Sequence, residues 1–102
     1  MNSAVRTHQA ELSRLCLEFH VRRLELFGSA QNASFDPDHS DFDFLVEFAP
    51  LPSVAYAKAF FGFKSALEEL FGRPVDLVVA SAIRNPYFRQ SVERNKTLLY
   101  AA

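Results

Sequence analysis

The sequence has a single cysteine, no tryptophan and three glycines, and its opposite charges nearly cancel. The lone Cys16 cannot form a disulfide within the chain, so nothing requires an oxidising compartment, and we expect a cytoplasmic protein. Eleven Lys and Arg residues against twelve Asp and Glu residues give a formal net charge of −1. This balance argues against nonspecific nucleic-acid binding, because such binding needs an excess of cationic groups to neutralise phosphates.

Long apolar runs are also missing. No stretch approaches the ~18 consecutive apolar residues of a membrane span, so we expect no membrane partner. A hydrophobic content of 49% with 23% charged residues is typical of a globular chain and not of a disordered one. The 102 residues match the size of one typical domain, and we expect a single domain over residues 1–102.

Phenylalanine is abundant, with eleven residues in a short chain. A core of this size does not easily accommodate so many large rings, which indicates that some lie at the surface or in an interface. That interface would be with a partner protein or with a second copy of the chain. Phe60 follows the main apolar stripe of its helix and is predicted to be core, whereas for Phe61 core and interface stay equally open.

Apolar periodicity predicts alternating helices and strands. Three- and four-residue spacings predict one helix from Ser3 to Phe19 and a stronger one from Ser53 to a terminating Gly72. Asn85 followed by proline is typical of the start of a third helix. Short apolar or alternating runs predict strands at Leu24–Phe27, Asp41–Phe48, Pro74–Val79 and Lys96–Tyr100.

Three carboxylates, Asp41, Asp43 and Asp76, lie on predicted strands opposite the apolar face. Aspartate is unfavourable inside a strand, and Asp41 and Asp43, ~6.5–7 Å apart along the chain, repel each other unless a cation lies between them. Oxygen ligands alone suit a hard divalent ion such as Mg²⁺. The three histidines and Cys16 show no zinc-ligand spacing.

Upstream of these carboxylates, Gly28 and Ser29 end a strand and begin a turn. Glycine lets the backbone approach a ligand closely, and free N–H groups with the serine hydroxyl can bind phosphate oxygens. Each feature alone is more often an ordinary turn or a solvated strand end. A phosphate-binding turn together with a carboxylate metal site favours phosphoryl or nucleotidyl transfer.

The segments Leu26–Ala30 and Ser40–Val46 resemble the GS…(S)DxD signature of the nucleotidyltransferase superfamily related to DNA polymerase beta. The closest resemblance is to its minimal nucleotidyltransferases, the MNT-domain proteins, and Pro74–Val78 is similar to their third-carboxylate strand. The resemblance implies an α+β fold, with a small mixed β-sheet and helices packed mainly on one face. It also implies ATP as substrate and a Mg²⁺ site that holds two ions.

The resemblance further implies what each site residue does. Asp41, Asp43 and Asp76 would be the catalytic and metal-binding residues, and the nucleotide would contact Gly28, Ser29, Asn32 and Ser40. The implied activity is transfer of AMP from ATP to a protein hydroxyl, a tyrosine of a HEPN-domain toxin, so that the chain acts as an antitoxin.

Asn32 departs from the family pattern, which commonly has arginine three residues after the motif serine. A cation that would face the phosphates is therefore missing from its usual place. The sequence leaves five substitutes open: Arg22, Arg23, Lys58, Arg73 and Arg84. It also leaves open an alternative function, a catalytically weak or inactive nucleotide-binding antitoxin that neutralises its toxin by complex formation. A second alternative, transfer to a small molecule as in antibiotic-modifying enzymes, is disfavoured because those enzymes generally need an added helical domain.

Overall fold

The computed structural model describes residues 3–27, 42–87, 89–90 and 96–102. Its regular elements, in chain order, are α1 (Ser3–Thr7), α2 (Gln9–Glu18), β1 (Val21–Phe27), β2 (Phe42–Phe48), α3 (Ser53–Phe71), β3 (Val75–Val79), a 3-10 turn (Ala80–Ala82) and β4 (Thr97–Ala101). No helix in the described ranges is long and apolar enough to span a membrane.

The strands form a mixed four-stranded sheet in the order β3-β2-β1-β4. Strand β1 is antiparallel to both β2 and β4, whereas β2 and β3 are parallel. A parallel pair needs a long crossover connection, and α3 supplies it between β2 and β3. This arrangement confirms the predicted α+β fold with a small mixed sheet.

The main core lies between one face of the sheet and the helices α2 and α3. The predicted alternation along β2 is confirmed, because the four residues that point to the helices are buried: Phe42, Phe44, Val46 and Phe48. Leu12 and Cys16 of α2 and Phe63 and Leu67 of α3 pack against them without solvent exposure. Burial raises the pKa of the Cys16 thiol to about 12, so this thiol stays protonated and packs as a small apolar side chain.

The opposite sheet face carries Asp43 and Asp76, and we call it the carboxylate face. It is covered in part by a second, smaller cluster, in which Phe27 of β1, Leu45 of β2 and Ile83 are buried together. Ile83 comes directly after the 3-10 turn that follows β3. The chain therefore folds back over this face without placing one of the long helices on it.

Strand β1 begins at Val21, three residues earlier than predicted. A β-bulge between Val21 and Arg23 leaves both Arg22 and Arg23 exposed. Two consecutive exposed residues interrupt the alternation of buried and exposed side chains that is typical of a strand. The sequence pattern therefore did not predict that the strand includes these residues. The predicted N-terminal helix is likewise divided, because His8 forms a turn between α1 and α2.

Strand β4 also contains a bulge, and α2 compensates for it. Leu98 pairs with Glu25 and Tyr100 pairs with Leu24, so Leu99 between them has no partner in the ladder. The Gln9 side-chain amide donates a hydrogen bond of 2.8 Å to the Leu99 carbonyl. This contact satisfies a backbone acceptor that the bulge removes from the ladder, and it fastens the N-terminal helix to the edge strand.

The two predicted helix boundaries with a clear chemical cause are confirmed. Helix α3 ends at Phe71, and Gly72 follows with a left-handed φ of 68°, which glycine adopts readily. Asn85 caps a helical segment, because its Oδ1 accepts the Tyr87 N–H at 2.9 Å. The two phenylalanines differ as follows: Phe60 is half-buried against Phe48, whereas Phe61 is 65% exposed.

Candidate active site

The structure brings two of the three predicted carboxylates together. Asp43 is the second residue of β2 and Asp76 the second residue of β3, and their Cα atoms are partners in the parallel ladder. Residues paired in this way point to the same face, on strands ~4.8 Å apart. Asp43 is half-buried and Asp76 is exposed. One acidic pair therefore lies on the carboxylate face, with one member open to solvent.

Core packing determines this pairing. On either side of Asp43, Phe42 pairs with Val75 and Phe44 pairs with Leu77, and all four of these apolar residues are buried towards the helices. Because successive side chains alternate, the aspartates between them must point the other way. A register slip of one residue would bury the aspartates and expose the apolar residues, so the hydrophobic pattern holds the acidic pair in place.

The end of β1 lies beside this pair. Phe27, the last residue of β1, is the Cα partner of Asp43. The chain therefore leaves β1 at the end of the sheet where β2 and β3 begin. The remaining predicted site residues lie outside the described residues, and their roles stay predictions: Gly28, Ser29, Asn32, Ser40 and Asp41.

An apolar surface borders the acidic pair. Two residues further along the same strands, Leu45 and Val78 are Cα partners on the same face, and they pack with Phe27 and Ile83. Sequence reasoning missed Ile83 because it lies outside any strand or periodic pattern. The available signal was a large apolar residue between small residues and Arg84, four positions after the end of β3. This cluster shields one side of the acidic pair from water.

The donor chemistry of the pair fits a hard cation. Both side chains offer only oxygen, and two carboxylates on adjacent strands can share one divalent ion. Within the described ranges, no group of three or more His, Cys, Asp and Glu side chains could hold a metal ion. The described part of the site thus contains two of the expected ligands, and the third, Asp41, lies outside it.

Three of the five basic residues left open by the sequence lie far from the acidic pair. Arg23 is four residues before Phe27 on β1, ~13 Å along the strand. Its Nε contacts the buried Glu25 Oε1 at 3.2 Å, and Lys96 Nζ contacts Oε2 of the same carboxylate at 3.1 Å. Arg22 precedes Arg23 on the strand, and Lys58 lines a groove with Phe19 and His20 where α2 joins β1.

The other two basic residues lie nearer. Arg73 is three residues before Asp76, with its guanidinium carbon 5.7 Å from the centre of the Phe42 ring. The Phe42 ring is buried on the helix side of the sheet, so this contact holds the Arg73 guanidinium away from the carboxylate face. Arg84 follows Ile83, the residue that covers the carboxylate face. Sequence reasoning did not consider Arg89, whose Nη2 donates a hydrogen bond of 2.7 Å to the Ile83 carbonyl. Arg84, next to the residue that covers the carboxylate face, is therefore the better placed of the five proposed substitutes.

Comparisons with known proteins agree with this geometry. The family model for the nucleotidyltransferase domain matches residues 8–99. The chain is 40% identical over 79 residues to a Methanocaldococcus jannaschii protein named "putative protein adenylyltransferase", covering 76% of each. It is also 34% identical over 85 residues to the protein adenylyltransferase MntA of Thermococcus cleftensis, covering 83% of this chain and 79% of that one.

Solved structures share the fold. One described as a "putative minimal nucleotidyltransferase" is 28% identical, with a TM-score of 0.72 over 95% of each chain. An MNT antitoxin, solved in complex with a tri-AMPylated HEPN toxin of Shewanella oneidensis, is 22% identical with a TM-score of 0.59. That match covers 95% of this chain and 72% of the other. Since the family model matches most of its length, the chain belongs to the nucleotidyltransferase domain family, as its resemblance to the minimal nucleotidyltransferases predicted.

Proposed function

We propose that this protein is an antitoxin that transfers AMP from ATP, with Mg²⁺, to a tyrosine hydroxyl of a HEPN-domain toxin. The observation that carries the proposal is the pairing of Asp43 with Asp76 across two parallel strands. The names of the curated relatives support a protein acceptor. The MNT antitoxin of the same fold, bound to an AMPylated HEPN toxin, supports the choice of partner.

The acidic pair, together with Asp41, would hold Mg²⁺ against the triphosphate. Bound there, the ion neutralises the charge of the phosphates and polarises the α-phosphate towards attack. Asp43 is the half-buried member and so suits a fixed ligand, whereas the exposed Asp76 lies where an incoming acceptor can reach it. The lower exposure of Asp43 and the higher exposure of Asp76 therefore match their proposed roles.

In the proposed step the acceptor oxygen forms a bond to the α-phosphorus of ATP. The bond from that phosphorus to the bridging oxygen of the β-phosphate breaks, and pyrophosphate leaves with the electron pair. The hydroxyl proton passes to the Asp76 carboxylate. The apolar cluster of Phe27, Leu45 and Ile83 keeps water from one side of the site, which favours the protein hydroxyl over hydrolysis.

The test is to incubate the protein with ATP, Mg²⁺ and a HEPN-domain toxin, and to measure AMP addition by mass spectrometry. We expect AMP on a tyrosine of the HEPN protein, and we expect Asp43→Asn to reduce transfer to background. Glu47→Gln is the matched control, because Glu47 is an exposed acidic residue of the same strand and face but has no partner on β3.

The same experiment distinguishes the alternative of neutralisation by complex formation, which Asn32 favours. If the HEPN protein is neutralised without modification, equally well by the wild type and by Asp43→Asn, the chain acts by occlusion and the proposed catalysis is wrong.

A further inference from the structure

Glu68 connects the end of α3 to the start of β3 through its main chain and its side chain. Its carbonyl oxygen accepts hydrogen bonds from the N–H groups of Gly72, at 2.8 Å, and Arg73, at 3.3 Å. Its carboxylate Oε2 accepts the Val75 N–H at 3.1 Å and lies 3.2 Å from Lys64 Nζ. One residue therefore holds the backbone at three points between the helix and the strand.

This connection lies immediately next to the proposed catalytic pair. Among the strands that the structure describes, β3 is at the edge of the sheet and pairs only with β2, so its first residues have one such neighbour instead of two. Val75 pairs with Phe42, and the next residue, Asp76, pairs with Asp43. Ends of edge strands open easily unless their backbone groups have further partners. The Glu68 carboxylate supplies such a partner one residue before Asp76.

We propose that Glu68 is a positioning residue for Asp76: its carboxylate holds the first residue of β3 so that Asp76 stays opposite Asp43. The consequence for metal binding rests on the proposed function, whereas the effect on the strand does not. Two carboxylates share a cation well only when their separation is fixed, and loss of a supporting contact typically weakens metal affinity about 10-fold or more.

The charge of Glu68 strengthens this contact. The hydrogen bond from Val75 and then the one from Lys64 lower the pKa of the Glu68 carboxyl, so the group is ionised at neutral pH. A hydrogen bond to an ionised acceptor is shorter and stronger than one between neutral groups. Lys64, one helical turn earlier, orients the carboxylate towards β3.

Three variants separate the contact with Val75 from the ion pair. Glu68→Ala removes both, Glu68→Gln keeps a side-chain oxygen for the Val75 N–H, and Lys64→Met removes only the ion pair. The first measurement is amide hydrogen exchange by NMR at Val75 and Asp76, with Leu24 in the middle of the sheet as internal reference. We expect Glu68→Ala to raise exchange at both residues about 10-fold relative to Leu24. Lys64→Met should stay near wild type, and Glu68→Gln, which keeps an uncharged acceptor, should fall between wild type and Glu68→Ala.

The second measurement is the Mg²⁺ concentration that gives half of the thermal stabilisation produced by Mg²⁺ with ATP. We expect Glu68→Ala to raise this concentration about 10-fold, and Glu68→Gln and Lys64→Met to change it less than about 2-fold. Rescue by glutamine would show that the oxygen facing Val75 is the group that matters.

Two results would overturn the inference. In the first, Glu68→Ala lowers the melting temperature but leaves the Mg²⁺ concentration for half-stabilisation and the exchange at Asp76 unchanged. Glu68 would then stabilise the fold without positioning Asp76. Equal defects in all three variants would instead assign the effect to the ion pair. A wild type that Mg²⁺ and ATP do not stabilise would contradict the proposed function, and the exchange measurement would still decide whether Glu68 holds β3.

Discussion

Replacing Gly72 with alanine measures how much the junction between α3 and β3 depends on a left-handed residue. Gly72 has a φ of 68°, and a Cβ atom added to it would meet no atom within 4 Å. Steric clash with the rest of the protein is therefore excluded, and only the backbone conformation contributes. An L-residue in the left-handed region costs about 1–2 kcal/mol. Alanine recovers about 0.4–1 kcal/mol of this, because it restricts the unfolded chain more than glycine does.

The net expectation for Gly72→Ala is a loss of about 1 kcal/mol in the free energy of unfolding. For a domain of this size that corresponds to a fall in melting temperature of about 4–8 °C. Urea denaturation with an unchanged m-value is the appropriate assay, and Gly72→Asn is the control, because asparagine tolerates this conformation better than alanine. Wild-type stability in Gly72→Ala would refute the reasoning, since it would mean that the junction does not need a left-handed residue.

Two further predictions concern side chains of α3. Phe60→Asp should lower the free energy of unfolding by at least about 2 kcal/mol, because it places a charge against Phe48, whereas Phe61→Asp should change it by less than about 0.5 kcal/mol; equal urea midpoints for the two variants would contradict this. Because the pKa of Glu68 in the folded protein lies below its ordinary value of 4.5, its stabilising contribution is present above that pH and is lost as the pH falls through the folded pKa. The difference in melting temperature between wild type and Glu68→Gln should therefore shrink on acidification, and a constant difference would argue against a charge effect.

The local elements could be predicted because their causes are local. The apolar residues Phe42, Phe44 and Val46 recur at every second position, which predicts a strand with these residues on one buried face, and the structure has that strand. The period of α3 and the glycine at its end predict a helix that ends at the position found. Features that depend on a partner strand could not be predicted in this way. The bulge between Val21 and Arg23 is one of them, and for this reason the predicted start of β1 was three residues too late.

The candidate site was predicted from residue types, and its catalytic and metal-binding roles stay predictions; the structure shows only that Asp43 and Asp76 are partners on adjacent strands. Asp43 and Asp76 are 33 positions apart in the numbering, and their individual patterns predicted only that each faces away from a core. Their direct pairing follows from the register of Phe42 with Val75, which requires both strands to bury their apolar residues under the same helices.

By itself, the amino-acid sequence determined the secondary structure of the long elements, because periodicity is a property of short segments. The α+β fold class and the family followed from the resemblance that two short motifs, Leu26–Ala30 and Ser40–Val46, carry. Tertiary structure alone decided which segments meet. It placed Ile83 over the carboxylate face, left Phe61 exposed and brought the Glu68 carboxylate to the Val75 N–H. These features depend on residues that are distant in the sequence, so no local pattern predicts them. They form only when the sheet has its correct register and the helices pack on it.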